Sequence, residues 1–142
     1  MTAVQSSIRA PRVDIALTIL RIVVGVVFIA HGAQKLFVWG HTGVMGGFTQ
    51  MGIPMPALTS WAVAIVEFFG GIALVIGAAT SIAAALIAID MLGAMVFVHA
   101  KNGFFLPTGA EYAFTLFFAA IAIMIAGAGP WSVDGSLRRS RS

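Results

Sequence analysis

The stretch LTSWAVAIVEFFGGIALVIGAATSIAAALIAIDMLGAMVFVHA, residues 58–100, decides the fold. Its ionisable side chains are Glu67, Asp90 and His99 alone, and Gly77-Ala78-Ala79-Thr80-Ser81 divides it in two. Each half, at 1.5 Å per residue, reaches the ~30 Å depth of a bilayer's hydrocarbon core. With so short a break between them, the halves must run antiparallel as a helical hairpin. A third apolar run precedes the hairpin and a fourth follows it, so the expected spans are residues 15–38, 58–79, 81–100 and 111–127. The fold class read from this pattern is all-α: a polytopic membrane protein built as a bundle of four transmembrane helices.

Composition agrees. Of 142 residues, 60% are hydrophobic and 9% charged, where a soluble domain carries about 25% charged residues; the mean hydropathy is +1.02. A soluble enzyme is excluded, and the lipid bilayer is the principal partner. The net charge of +3 comes from arginines gathered at the two ends, with no basic patch interleaved with aromatics, so nucleic acid is not an expected partner. The absence of cysteine removes disulfides, thiol redox pairs, and thiolate ligation of zinc, iron–sulfur clusters or haem.

Arg9 and Arg12 before an apolar run resemble the start of a signal peptide, but Arg21 interrupts that run and no small-x-small cleavage site follows. The first segment is therefore kept as a span. Arg9, Arg12, Arg138, Arg139 and Arg141 flank the termini, against Lys35 and Lys101 on the other side, which places both termini in the cytoplasm. Residues 1–14 then form a cytoplasmic tail, 15–134 the membrane domain and 135–142 a basic cytoplasmic tail, with a polar, disordered end to the chain. Trp39, Trp61 and Tyr112 fall at the outer interface and Trp131 at the inner one. Of the outer loops, 39–57 carries an apolar patch at 44–51 suited to a small interfacial or re-entrant helix, and 101–110 is a turn whose two phenylalanines dip back towards lipid.

Charges within the spans need a partner or a purpose, because each costs about 2.5–3.5 kcal/mol at the bilayer centre on insertion scales. At about 100° per residue, Arg21, His31 and Lys35 share a sector of the first span with Gly25, Phe28 and Gly32. Glu67 shares a face with Gly70, Gly71 and Gly77, residues small enough for a neighbouring backbone to approach. Asp90 lies with Gly93, Ala94 and Phe97, at a depth that a guanidinium from Arg21 can reach, so an Arg21–Asp90 pair is expected. His99, nine residues beyond Asp90, falls on the opposite side of a continuous helix and turns inward only if that helix bends. Glu111 either favours its helix N-terminus or pairs with Lys35 or Lys101. These groups read either as a salt-bridge network that holds helices together or as a polar pocket that binds a ligand and exchanges protons. No spacing is diagnostic of a metal, and neither haem nor metal is predicted.

In order, Arg21, Gly25, Phe28, His31-Gly32, Lys35-Leu36, Glu67-Phe-Phe-Gly70-Gly71, Leu74, Gly77, His99, Gly103-Phe104-Phe105, Gly109-Ala-Glu111-Tyr112 and Gly129-Pro-Trp-Ser132-Val-Asp134 resemble the DoxX family of small bacterial membrane proteins. The likeness runs through residues 15–137. The family often closes with Gly-Pro-Gly-basic-aromatic-Ser-hydrophobic-Asp; here Ala128 replaces the proline and Pro130 the basic residue, which removes any partner contact made through that cation. The resemblance implies a four-helix protein of the bacterial inner membrane, associated in different members with quinol oxidases, thiosulfate:quinone oxidoreductases and resistance to catechols, methylhydroquinones and oxidative stress. It suggests a quinone-linked redox subunit with quinone or quinol as its cofactor. In that reading His31 and Glu67 are the catalytic, proton-exchanging residues, and Arg21, Lys35, Asp90 and His99 line the substrate. No electron carrier is evident, so electrons come from a partner redox protein or another bound group; a homo-oligomer is the other expected association. The alternative is a non-catalytic accessory subunit or small-solute membrane protein whose charges only hold the bundle together.

Overall fold

The computed structural model describes residues 11–141, and within them every regular element is a helix. Helix α1 (Pro11–Ala33) passes into a π-helical turn (Gln34–Trp39); Gly40 follows at φ 67°, ψ 169°, a conformation open in practice to glycine alone, and the chain continues as α2 (Gly40–Met51). Helix α3 (Pro56–Ile76) and α4 (Thr80–Gly93) form the expected hairpin, α4 running on through a second π-helical turn (Ala94–His99) and a short 3-10 turn (Ala100–Asn102). Helix α5 (Glu111–Ala126) and the short α6 (Val133–Arg139) complete the chain.

Three helical runs, residues 11–50, Pro56–Ile76 and Thr80–Asn102, are long and apolar enough to cross a membrane. The fourth expected span is apolar but shorter: α5 has 16 residues, about 24 Å of helix. The four helices close a ring in which α1 packs on α3, α3 on α4, α4 on α5, and α5 along a shorter seam on α1. Val24, Phe28, Leu74, Ile87 and Ile123 fill its centre. The patch expected at 44–51 is part of α2, which lies against α3 and is held at its start by His41 stacked on Trp61 at 4.7 Å.

Contact between α1 and α3 is set by missing side chains. A Cβ on Gly71 would stand 2.7 Å from the Gly25 carbonyl oxygen and 2.7 Å from the Ile29 nitrogen, and a Cβ on Gly32 would overlap the backbone of Phe68. The two helices therefore meet backbone to backbone, the packing available where lipid supplies no hydrophobic drive between helices. Glycines on the inward faces of both spans were legible in the sequence; their pairing across this one interface was not.

Near the end of α3 and the start of α6, Arg21 is 2% exposed and does not pair with Asp90. Its Nη1 donates to the carbonyl oxygens of Leu74 (2.5 Å) and Val75 (2.7 Å), and its Nη2 to that of Trp131 (2.9 Å). The last carbonyls of α3 lack intrahelical partners and carry the negative end of the helix dipole, so they compete for a guanidinium better than a carboxylate further along the bundle. The expected Arg21–Asp90 pair is thus replaced by a cross-helix cap. Gly77, at φ 71°, lets the chain turn directly against Arg21 and Ser132, where a Cβ would collide.

Residues 133–139 form α6, against the expectation of a disordered tail there. Asp134 accepts from the backbone N–H of Ala79 (Oδ1, 2.9 Å) and Thr80 (Oδ2, 2.9 Å), capping α4, while its own N–H donates to the Gly77 carbonyl. Ser132 caps α6 by accepting from the Gly135 N–H at 3.0 Å. At the other end, residues 11–14, expected in the cytoplasmic tail, already belong to α1, which includes Pro11, a residue preorganised for a first turn. Arg9 and the rest of residues 1–10 lie outside the described residues.

Burial alone would raise the Asp134 pKa, but the Thr80 and Ala79 N–H groups and nearby Arg138 outweigh it and hold the carboxyl below its ordinary value. A depressed native pKa adds stability above the unfolded value, about 3.9, and loses it as pH falls through the native one. Asp134→Ala is expected to lower stability by about 1 kcal/mol, as cap removals do, and to abolish the part of the acid-induced loosening of α6 that belongs to this group. Thermal unfolding in detergent at neutral and acidic pH checks both.

Candidate functional site

Towards the α2 end, the ring of helices encloses an apolar cavity of about 590 Å³, within the ~300–1,000 Å³ of ordinary ligand sites. Phe28 and Val27 from α1, Val63 from α3, Ile89 and Met91 from α4 and Leu116 from α5 form much of its wall, and Phe48 and Met51 of α2 close over it. Five of the six residues singled out in the sequence line it: His31, Lys35, Glu67, Asp90 and His99. Arg21 is the exception, committed to the cap described above.

The ion pair at the centre joins α1 to α3. Lys35 Nζ lies 2.6 Å from Glu67 Oε2, with the side chains 13% and 5% exposed. Lys35 belongs to the π-helical turn and Glu67 to the middle of α3, so the pair sits just beyond the glycine contact that draws these helices together. On α4, Asp90 interacts with both Glu67 and Lys35, and its Oδ2 is buried with no hydrogen-bond partner. Two carboxyls and one ammonium thus share the cavity, the Asp90 carboxyl faces that of Glu67, and its Oδ2 is left without a donor. A buried polar atom without a partner costs about 1–3 kcal/mol, and a donor supplied by a ligand would satisfy it.

His99 lines the cavity although a regular helix would turn it away. The π-helical turn at Ala94–His99 advances less per residue than an α-helix, which swings the ring back towards Asp90's side. Its Nδ1 lies 2.9 Å from the Thr108 carbonyl; a carbonyl only accepts, so Nδ1 carries the proton and Nε2 of the neutral ring is free to accept. His31 is similar, with Nδ1 donating to the Val27 carbonyl at 2.9 Å. Its ring is exposed on α1 rather than buried in the sector shared with Arg21, and stands 6.4 Å from the Tyr112 ring of α5. Glu111 pairs with neither lysine; its Oε1 accepts the Leu106 N–H at 3.0 Å, folding the 103–110 turn onto the start of α5.

Sequence reasoning placed Tyr112 only in an interfacial belt and missed it as a cavity residue. It missed both π-helical turns, which no residue type announces and which often mark functional positions. Among the described residues, no group of three His, Asp or Glu side chains is arranged to hold a metal ion.

Buried charges set in an apolar cavity between membrane-length helices define a polytopic membrane protein with an intramembrane polar site. This chain belongs to the DoxX family, whose profile matches residues 16–100. A Haemophilus influenzae uncharacterized protein is 32% identical over 83% of this chain and 87% of its own length. A Bacillus subtilis protein named "Putative oxidoreductase CatD" is 29% identical over 85% and 86%. An uncharacterized membrane protein of Mycobacterium tuberculosis is 28% identical over 84% and 80%. No solved structure matches.

Proposed function

We propose that this protein is the membrane subunit of a quinone-linked oxidoreductase or quinone-detoxifying system, and that the cavity around Lys35, Glu67 and Asp90 receives the quinone head group. The observation that carries the reading is the Asp90 Oδ2 left without a hydrogen-bond donor beside the Lys35–Glu67 pair in a largely apolar cavity of about 590 Å³. Quinone carbonyls need a donor and quinol hydroxyls an acceptor; Lys35 supplies the first and Asp90 the second. Glu67 stands between them and exchanges protons, with His31 and His99 as further proton-handling groups. Arg21 acts by fixing the end of α3 and so the depth of Glu67. A bound quinone would accept two electrons from a partner redox protein, which is oxidised, together with two protons, and leave as quinol. The name of the Bacillus subtilis relative supports the oxidoreductase class.

Glu67→Gln keeps size and hydrogen bonding while removing the ionisable proton. Folded protein should stay near the wild-type level while quinone-dependent activity, or protection of cells against a toxic quinone, is lost. Quinone at 100 times its dissociation constant adds about 2.7 kcal/mol by mass action, visible as a raised melting temperature. Absence of that shift across quinones and quinols, with loss of folded Glu67→Gln protein in step with loss of function, would leave the charges as structural and the protein as an accessory bundle.

The arginine bias places both termini in the cytoplasm of a bacterial cell, with the cavity towards the outer face of the inner membrane. A cysteine at Thr42 should react with an impermeant thiol reagent on intact cells and one at Ser140 only after lysis. The reverse pattern would invert the orientation.

A further inference from the structure

A shallow groove runs along the outside of α1 and the π-helical turn that follows it, lined by Ala30, Ala33, Gln34 and by Phe37 and Val38, each 73% exposed. His31 borders this groove and also lines the interior cavity, the one residue the two have in common. Across from it stands Tyr112 of α5, at the shortest seam in the helix ring. The geometry points to a lateral portal between α1 and α5, with His31 and Tyr112 as its jambs, through which a bilayer-dissolved amphiphile places a polar ring in the cavity and leaves its apolar tail in the groove outside. This rests on the head-group reading above and adds the class of ligand, a long-tailed lipid-soluble ring compound, and its route.

Three features favour this route over an approach from water beneath α2. The groove is mostly apolar and meets the cavity at a shared side chain, His31. The His31 ring is tethered by one hydrogen bond to its own helix, at Val27, so moving it breaks no hydrogen bond between helices. On the α2 side, by contrast, Phe48, Met51, Ile53 and Pro54 cover the cavity, and the Gly52 and Ile53 N–H groups are fastened to the end of α2.

The test uses the full chain in detergent–lipid micelles with a benzoquinone whose prenyl-like tail carries a diazirine, read by mass spectrometry of the cross-linked peptides. Labelling should fall on residues 30–38 and on the start of α5, and excess tail-less quinone should suppress it. Ala30→Trp, which fills the groove from a lipid-exposed position, should reduce that labelling about tenfold, equivalent to ~1.4 kcal/mol of lost occupancy, while tail-less quinone still raises the melting temperature. Ile82→Trp, on the lipid-exposed face of α4 and 67% exposed, should label as wild type. Suppressible labelling at residues 48–55, or no change in Ala30→Trp, would overturn the portal and leave the head-group site standing. Absence of suppressible labelling together with absence of stabilisation by tail-less quinone would remove both.

Discussion

Gly32→Val is expected to leave almost no folded protein in the membrane. A Cβ at residue 32 would overlap the backbone nitrogen and Cα of Phe68, and backbone, unlike the end of a flexible side chain, cannot turn aside. Ordinary overpacking costs about 1–3 kcal/mol; forcing two helix axes apart should exceed that range, because Gly25 and Gly71 lose their mutual contact as well. Lys35 and Glu67 lie on the same two helices, so any residual folded fraction should also lose the ion pair. Yield of monodisperse protein on size-exclusion chromatography checks the prediction. Gly46→Val, where nothing lies within 4 Å of a new Cβ, is the control and should behave as wild type. Similar yields from the two variants would show that the α1–α3 contact is looser than described.

The second large effect is at Arg21. Arg21→Met keeps much of the side chain's volume but strands the carbonyls of Leu74, Val75 and Trp131 at a buried position. Hydrogen bonds to a charged group contribute about 1.5–3 kcal/mol each, short of additively, so a loss above about 3 kcal/mol is expected. Arg21→Lys should recover only part, since an ammonium lacks the planar fork that reaches acceptors on two segments at once. Adding Asp90→Leu to Arg21→Met should restore nothing, because the two residues are not partners. Recovery in that double variant, measured as denaturant or thermal stability in micelles, would reinstate the pair that composition and depth alone had suggested.

The Arg21 case marks where a sequence stops being informative. Depth along a helix follows from 1.5 Å per residue, and on depth Arg21 and Asp90 were well matched. Which acceptor a guanidinium takes depends on where other chains end, and the carbonyls at the end of α3, with Trp131 brought over by the closing turn, came nearer. Glu67 was read correctly as an inward residue from its glycine face, but its partner Lys35 was one candidate among several. His99 was read outward because a uniform 100° step was applied through Ala94–His99, where the helix widens.

By itself the sequence determined the membrane environment, the helical hairpin, the apolar segments and the presence of a few costly charges among them. Each follows from local composition and from the demand that backbone groups in lipid be satisfied within their own helix. Only the tertiary structure decided that α1 and α3 touch backbone to backbone, that the basic end of the chain folds back to cap α4, and that five polar residues converge on one cavity while Arg21 does not. Those outcomes rest on distances between segments remote in sequence and on two π-helical turns that rotate Lys35 and His99. Neither quantity is encoded in the periodicity of any one segment.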